Sequence, residues 1–352
     1  MNHNQLELKI LDLSVTEDRN TYGEIVSNVF HNPYYHIEYL QHHKNATNRI
    51  IAFLLEKKEC IAIMPMILSP IQNTGYSDAT SPYGYNGPLF KNGISEDDIS
   101  CYWGMIDQWY MENKIVTEFI RFSLTNNHIN YTGKNVKTLT NVCGILKESF
   151  DDQWETFDKK VRNNYRKAIS SGLSFKLHDQ GSMDMDLVDS FYKIYYKTMQ
   201  RNNASKFLFF SAEYFHNLVL NHKGDFTIGM VYHEGQPIST ELHIHYKDSV
   251  YAFLGGTDSD FFHTRPNDFL RVEVIKWAIG NDKKKYVLGG GIKDDDGLYK
   301  SKKAYFPKDE DCIFYTGRKV INQQVYDSLT KKAIEERSLD KNDTFFPLYR
   351  KP

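Results

Sequence analysis

One pattern occurs twice along this chain. Residues 49–68, RIIAFLLEKKECIAIMPMIL, read as two apolar β-rich runs joined by a charged turn from Glu56 to Glu59. Residues 226–246, FTIGMVYHEGQPISTELHIHY, answer them in the second half. Each hairpin is followed by a helical stretch carrying a tryptophan, Trp109 or Trp277, and then by a strand, VTEFIRFSL or KYVLGGG. Hairpin, helix and strand in the same order twice point to a duplicated α/β unit. A chain of 352 residues suits two domains of roughly 150–170 residues each. The expected division is 1–150 and 151–352, with the C-terminal helix packing back, and mixed central sheets in an α/β (α+β) architecture.

The element reading follows hydrophobic periodicity. It places strands at 6–14, 50–56, 60–68, 116–123, 138–147, 225–233, 237–246, 249–256 and 312–317. Helices are expected at 20–30, 36–44, 96–113, 152–171, 184–200, 211–222 and 322–337, with one more running from Pro266 to Gly280. The segment after KYVLGGG reads as basic.

Composition removes several classes. Hydrophobic residues at 41% and aromatics at 14% provide for packed cores and exclude global disorder. A formal net charge of −2 excludes the overall basic field of a nucleic-acid binder and leaves only local patches. Cys60, Cys101, Cys143 and Cys312 are far apart with no C-x-x-C spacing, so neither a disulfide framework nor a structural zinc site is expected. The opening MNHNQLELKILDLS has neither the basic start nor the apolar stretch of a signal peptide. Apolar stretches fall short of the ~20 residues that span a bilayer. The expected location is cytoplasmic, with no transmembrane segment and at most peripheral membrane contact.

Several constellations could carry chemistry. SPYGYNGP, residues 81–88, fixes an irregular path with two glycines and two prolines, projecting Tyr83 and Tyr85 either into a ligand groove or into a structural crossover. Arg162 and Arg166 lie four apart on a helix with Lys159, Lys160 and Lys167, a face suited to phosphate or simply to solvent. Alternation in ISTELHIHY puts Ser239, Glu241, His243 and His245 on one strand face. Glu241 or His243 there could take a proton from an attacking ammonium, and the competing reading is an exposed polar face. Gly289 to Gly291 permit close approach of a ligand or another backbone, and Tyr299, Lys300, Lys302 and Lys303 follow, without the G-K-[ST] of a phosphate-binding loop.

The segments SPYGYNGP, KKVRNNYRKAISSGLSF, TMQRNN, YAFLGGTD and YVLGGGIKDDDGLYKSKKAYFP, in that order, resemble the FemABX aminoacyltransferases that build peptidoglycan bridges, together with GNAT-like relatives from polysaccharide gene clusters. The resemblance implies two tandem GNAT-like domains, the acceptor in a groove on the first and the donor toward the second. It implies that Lys44 and Arg201 contact acceptor phosphates and that Lys302 lies near the reaction centre, where a cation stabilises the developing oxyanion. Tyr83, Tyr85, Asn86, Arg162, Gly255, Gly290 and Tyr299 enter with the matching segments as substrate-binding positions. The implied reaction is transfer of an acyl or aminoacyl group to an amine of a nucleotide- or lipid-linked sugar or peptide precursor of the cell wall or surface polysaccharide. No bound cofactor and no metal are expected. The co-substrate is aminoacyl-tRNA or acyl-CoA. Acetyl-CoA-dependent GNAT enzymes place a Q/R-x-x-G-x-G/A turn before a helix, and HTRPNDFLRVEVIKW has no such glycines, which weights the expectation toward tRNA. A non-catalytic binding module on the same fold is the rival from another class.

Overall fold

The computed structural model describes residues 6–352, apart from the side chain of Lys223. Its strands are β1 (Glu7–Asp12), β2 (Arg49–Lys57), β3 (Glu59–Pro70), β4 (Ser77–Thr80), β5 (Leu89–Phe90), β6 (Ile115–Arg121), β7 (Lys134–Ile145), β8 (Leu173–His178), β9 (Phe226–His233), β10 (Gln236–Tyr246), β11 (Ser249–Thr257), β12 (Lys285–Gly289) and β13 (Cys312–Val320). The α-helices are α1 (Thr16–Ile25), α2 (Ile37–Gln41), α3 (Glu96–Glu112), α4 (Phe150–Thr156), α5 (Lys159–Ser170), α6 (Met185–Arg201), α7 (Ala212–Asn221), α8 (Pro266–Gly280), α9 (Gly297–Lys303) and α10 (Gln323–Arg337).

The chain divides into two compact units, one from residues up to Thr138 together with Ile313–Pro352, the other Leu139–Cys312. This differs from the expected division at 150, which left everything after it in the second half. The C-terminal stretch joins the first unit through the pairing of β13 with β6, the packing of Ala333 and Tyr349 against Ile71 and Val116, and polar contacts to Asp78. Asp78 accepts from Tyr349 Oη at 2.5 Å, Thr117 Oγ1 at 2.7 Å and Arg350 Nε at 2.8 Å.

In the first unit the strand order is β1-β2-β3-β4-β6-β13, with β5 beside β3. In the second it is β8-β9-β10-β11-β12-β7. Position by position the two orders match. The first four strands of each are antiparallel neighbours, the fourth and fifth are parallel, and the last is antiparallel. Parallel neighbours require a crossover, and a helix supplies it in each case, α3 before β6 and α8 before β12. The sixth strand of the first unit comes from late in the chain, whereas the sixth strand of the second unit precedes the rest of that unit's sheet.

Local chemistry explains the crossover helices. Ser95 Oγ accepts from Asp98 N at 3.1 Å, and Glu96, Asp97 and Asp98 fill the first turn of α3, where the helix dipole favours anions. Ile99, Tyr102, Trp103, Ile106 and Tyr110 then bury one stripe. Helix α8 starts on Pro266, whose missing N–H is an orphan in any first turn.

One helix was expected over 152–171, and two are found. Phe157 is extended, Asp158 Oδ1 caps Lys160 N at 2.8 Å, and Asp158 N donates to Ala304 O at 2.9 Å, so a tertiary hydrogen bond holds the break open. The basic stretch contains α9.

Removing the Asp78 carboxylate leaves Tyr349, Thr117 and Arg350 without their common acceptor. Asp78→Ala should therefore lose about 1.5–3 kcal/mol of stability, the worth of hydrogen bonds to a charged group. Urea denaturation reads the loss, and an unchanged midpoint would show that the C-terminal segment is not held this way.

Candidate active site

Strand β10 lies between β9 and β11, and α8 packs across β8 to β11. The polar face expected on β10 is therefore covered by protein, with Ser239 and His243 buried and Glu241 half-buried. Glu241 Oε2 accepts from Tyr286 Oη at 2.6 Å and lies 3.1 Å from His243 Nε2. Thr227 Oγ1 continues the row, 3.4 Å from His243 Nδ1 and 3.0 Å from His245 Nε2.

The charge state of this row follows from its surroundings. Burial opposes the Glu241 charge, but His243, Arg271 and Tyr286 outweigh it and hold the carboxyl down at about 2. Burial likewise opposes the Arg271 charge, and Glu241, Tyr305, Tyr286 and Asp268 more than restore it. Burial pushes the Tyr286 and Tyr305 hydroxyls well up, so both remain donors. Burial, with His243 and Lys283 nearby, pulls His245 down to about 3 and leaves it neutral.

Lys302 reaches the same charge system from α9. Its Nζ donates to Gly290 O at 2.7 Å. Burial and the neighbouring Arg271 lower it to about 8, against the pull of Glu241 and Asp296. The loop that carries it is folded by one carboxylate: Asp296 accepts from Tyr299 N at 2.8 Å, Ile292 N at 2.7 Å and Lys293 N at 3.1 Å. A Cβ on Gly291 would meet Asp296 Oδ1 at 2.0 Å, and one on Gly290 would meet Asn141 Oδ1 at 2.7 Å. These glycines admit a carboxylate and a neighbouring strand.

The structure thus joins Glu241, His243, Lys302 and Gly290 in one charge system, and Gly255 lies beside it on β11, where a Cβ would meet Thr240 O at 2.5 Å. It also alters the roles expected for the first two. A carboxyl held at about 2 is a weak proton acceptor near neutral pH, and His243 is 0% exposed with its Nε2 turned to Glu241.

Other expected residues in this unit are engaged locally. Arg162 Nη1 donates to Phe157 O at 2.6 Å and, more weakly, to Trp154 O and Glu155 O, closing the end of α4 where a ligand contact was expected. Tyr299 Oη donates to Asp311 Oδ2 at 2.5 Å, which pushes its hydroxyl up to about 12. Arg201 donates to Thr257 O at 2.7 Å and lies 4.9 Å from the Phe262 ring, with its side chain exposed.

In the first unit, Lys44 lines a cavity of about 250 Å³ with Arg19, Arg49, Leu40 and Ile50. The SPYGYNGP segment is pinned from several sides. Tyr39 Oη donates to Tyr83 O at 2.9 Å, and Tyr83 N donates to His43 Nε2 at 3.2 Å. Tyr85 packs edge-on against Tyr34 and Phe314, while buried Asn86 donates its backbone N–H to Arg121 O at 3.0 Å. Gly84 has φ +85°, which glycine tolerates and larger residues resist.

Arg271 and Tyr286 were not singled out from the sequence. Arg271 stands three residues after Asp268 among apolar residues of α8, and a charge inside an apolar stripe is the signal that could have found it. Tyr286 offered none, since a tyrosine in a strand is ordinarily core.

Residues 156–301 match the family described as acetyltransferase (GNAT) domain. Among solved structures the chain resembles FemX at a TM-score of 0.65 and 11% identity, over 88% of this chain and 97% of that one. It also resembles the C-terminal domain of a putative lysylphosphatidylglycerol synthetase from Agrobacterium fabrum, with TM-score 0.53, 12% identity, and 75% and 82% of the two chains. L-PGS from Bacillus licheniformis aligns with TM-score 0.51 and 13% identity, over 79% and 87%. No curated protein matches the chain in sequence. The fold is that of the FemX structure, and the match to the acetyltransferase (GNAT) domain family lies within the second unit. No helix among the described residues is long and apolar enough to cross a membrane.

The buried lysine makes a prediction about stability. Its folded-state value of about 8 lies below the ordinary 10.5, so between those pH values the unfolded chain binds the extra proton and stability rises with pH. Below about 8 the penalty for the buried charge is fully present. Lys302→Met should lack this rise. Urea midpoints measured from pH 7 to 10.5 check it, and parallel curves for the two proteins would place Lys302 in solvent.

Proposed function

We propose that the chain transfers an aminoacyl group from an aminoacyl-tRNA ester to an amine of a cell-wall or cell-surface precursor, with Lys302 as the cation at the reaction centre. The observation that carries this reading is Lys302 itself: a half-buried ammonium held at Gly290 O, steadied by Glu241 and Asp296, in the acetyltransferase-type domain. A neutral amine attacks the ester carbonyl carbon, and the carbonyl oxygen gathers negative charge that Lys302 stabilises. The C–O bond to the leaving ribose then breaks, and the proton lost by nitrogen leaves with that oxygen. The product is an amide and a free hydroxyl. Glu241, His243, Tyr286 and Arg271 keep Lys302 in place and set its proton affinity. Positioning of two bound substrates supplies roughly 7–11 kcal/mol in such reactions.

The start of α8 favours tRNA over CoA as donor. Pro266 removes one N–H from the first turn, and Asp268 sets a carboxylate there, bonded to Asn164 Nδ2 at 3.0 Å and Tyr305 Oη at 2.9 Å. A helix start that already holds an anion is a poor seat for a pyrophosphate. The names of the lysylphosphatidylglycerol synthetase relatives agree with an aminoacyl donor and extend the candidate acceptors to lipids. The acetyltransferase family match supports the second reading, CoA-dependent N-acylation of an amino sugar, by the same direct attack. The reading places the reaction in the cytoplasm.

Purified chain should move radiolabel from charged tRNA to an acceptor amine faster than from acyl-CoA. Lys302→Ala should lower turnover at least tenfold while the circular dichroism spectrum is unchanged. Transfer should also decline as pH rises through about 8, where Lys302 loses its charge. Efficient transfer from acyl-CoA alone would establish the second reading, and full activity of Lys302→Ala would remove the residue from the mechanism.

A further inference from the structure

Cys143, near the end of β7, and Cys312, the first residue of β13, are distant in sequence and both belong to the second unit. The fold brings their thiols into a hydrogen bond with each other, and the Cys312 backbone N–H also donates to Cys143 Sγ. Neighbouring contacts hold the two segments together. Ile145 N donates to Asp309 Oδ2 at 2.7 Å, and a Cβ on Gly144 would meet the Phe306 ring at 2.3 Å. Both cysteines are free, Cys143 buried and Cys312 half-buried.

This contact makes the two thiols unequal. The hydrogen bond from Cys143 and the charge of Lys285 bring Cys312 down to about 7, against burial and Asp311. The Asp311 carboxylate is itself engaged, by Tyr299 Oη at 2.5 Å and by Lys303 Nζ at 3.0 Å. Cys143 is pushed up, first by its hydrogen bond to Cys312 and then by burial. Near neutral pH the pair therefore sets a partly exposed thiolate beside a protonated thiol. That is the arrangement of an attacking cysteine and a resolving one. Cys60 is the contrast, a buried thiol pushed up to about 12 by burial and by Glu56.

We propose that Cys143 and Cys312 are a redox-active dithiol that a low-molecular-weight disulfide oxidises to an internal disulfide. Cys312 Sγ attacks one sulfur of R–S–S–R, the S–S bond breaks, and R–S⁻ leaves. Cys143 then gives its proton to that thiolate, because the hydrogen bond that held it ended when Cys312 became bonded to R. Its sulfur attacks Cys312 Sγ and displaces the second R–S⁻, which takes up the proton that Cys312 released on ionising. Two electrons pass from the cysteine sulfurs to the reagent, giving one protein disulfide and two R–SH. The cross-link closes almost the whole second unit into one loop, which restricts the unfolded chain. Oxidation is read without turnover, so this proposal and the transfer reading can each fail alone.

Oxidised glutathione is the probe, added to the reduced full chain near neutral pH and followed by peptide mass mapping. Wild type should yield a Cys143–Cys312 cross-linked peptide at least tenfold faster than glutathione adds to Cys60, and dithiothreitol should reverse it. Cys143→Ser should stop at a glutathione adduct on Cys312. Cys312→Ser should show neither that adduct nor the cross-link. Thermal unfolding supplies the second measurement: oxidised wild type should melt above reduced wild type, and glutathione-treated Cys143→Ser should show no such rise. Absence of the cross-link from wild type would overturn the proposal whatever the variants do. So would a cross-link made to Cys60 or Cys101 instead, or a glutathione adduct forming on Cys143 in Cys312→Ser as fast as on Cys312 in Cys143→Ser.

Discussion

The second unit is organised around a carboxylate that the protein keeps charged in spite of burying it. Glu241 has Tyr286 and His243 on one oxygen and Arg271 as its counter-charge, and Lys302 is held partly by its attraction. Taking any one of these charges from water is unfavourable alone. Together they satisfy one another, and the strands and helix that bring them together are fixed in consequence. The same arrangement brings Lys302 down to about 8 from the ordinary 10.5.

That charge system needs the crossover geometry. Parallel pairing of β11 with β12 forces the intervening α8 onto the sheet face that carries Glu241, His243 and His245. Arg271 comes down from the helix, and Tyr286 rises from the adjoining strand. The glycines after β12 let Asp296 fold the loop back, so that Lys302 returns to Gly290 O. In the first unit the corresponding crossover by α3 buries Ile99, Tyr102, Trp103, Ile106 and Tyr110, and its Asp107 pairs with Lys319, which also lies 3.4 Å from the buried Glu118.

Much of the fold was legible because hydrophobic period and punctuation act locally. The hairpins at Glu56 to Glu59 and at Glu234–Gly235, the Trp109 and Trp277 helices, and the alternation in ISTELHIHY all follow from side chains a few residues apart. The candidate site was legible in part. Glu241, His243 and Lys302 were visible as chemistry-bearing types in suggestive places, whereas Arg162, read as lying on a face for phosphate or for solvent, makes hydrogen bonds that close the end of α4. Its target carbonyls are backbone groups, which every residue has and no side-chain pattern reveals.

By itself the sequence determined the duplicated order of elements and the residue types that could carry chemistry, and its composition argued against a disulfide-built or globally basic protein. The tertiary structure alone decided which charges meet. It assigned Ile313–Pro352 to the first unit, turned the β10 face from a solvated surface into a covered one, and introduced Arg271 and Tyr286. The physical reason is that proton affinity and charge pairing depend on distances of a few ångströms between groups tens of residues apart. Local pattern carries no record of them.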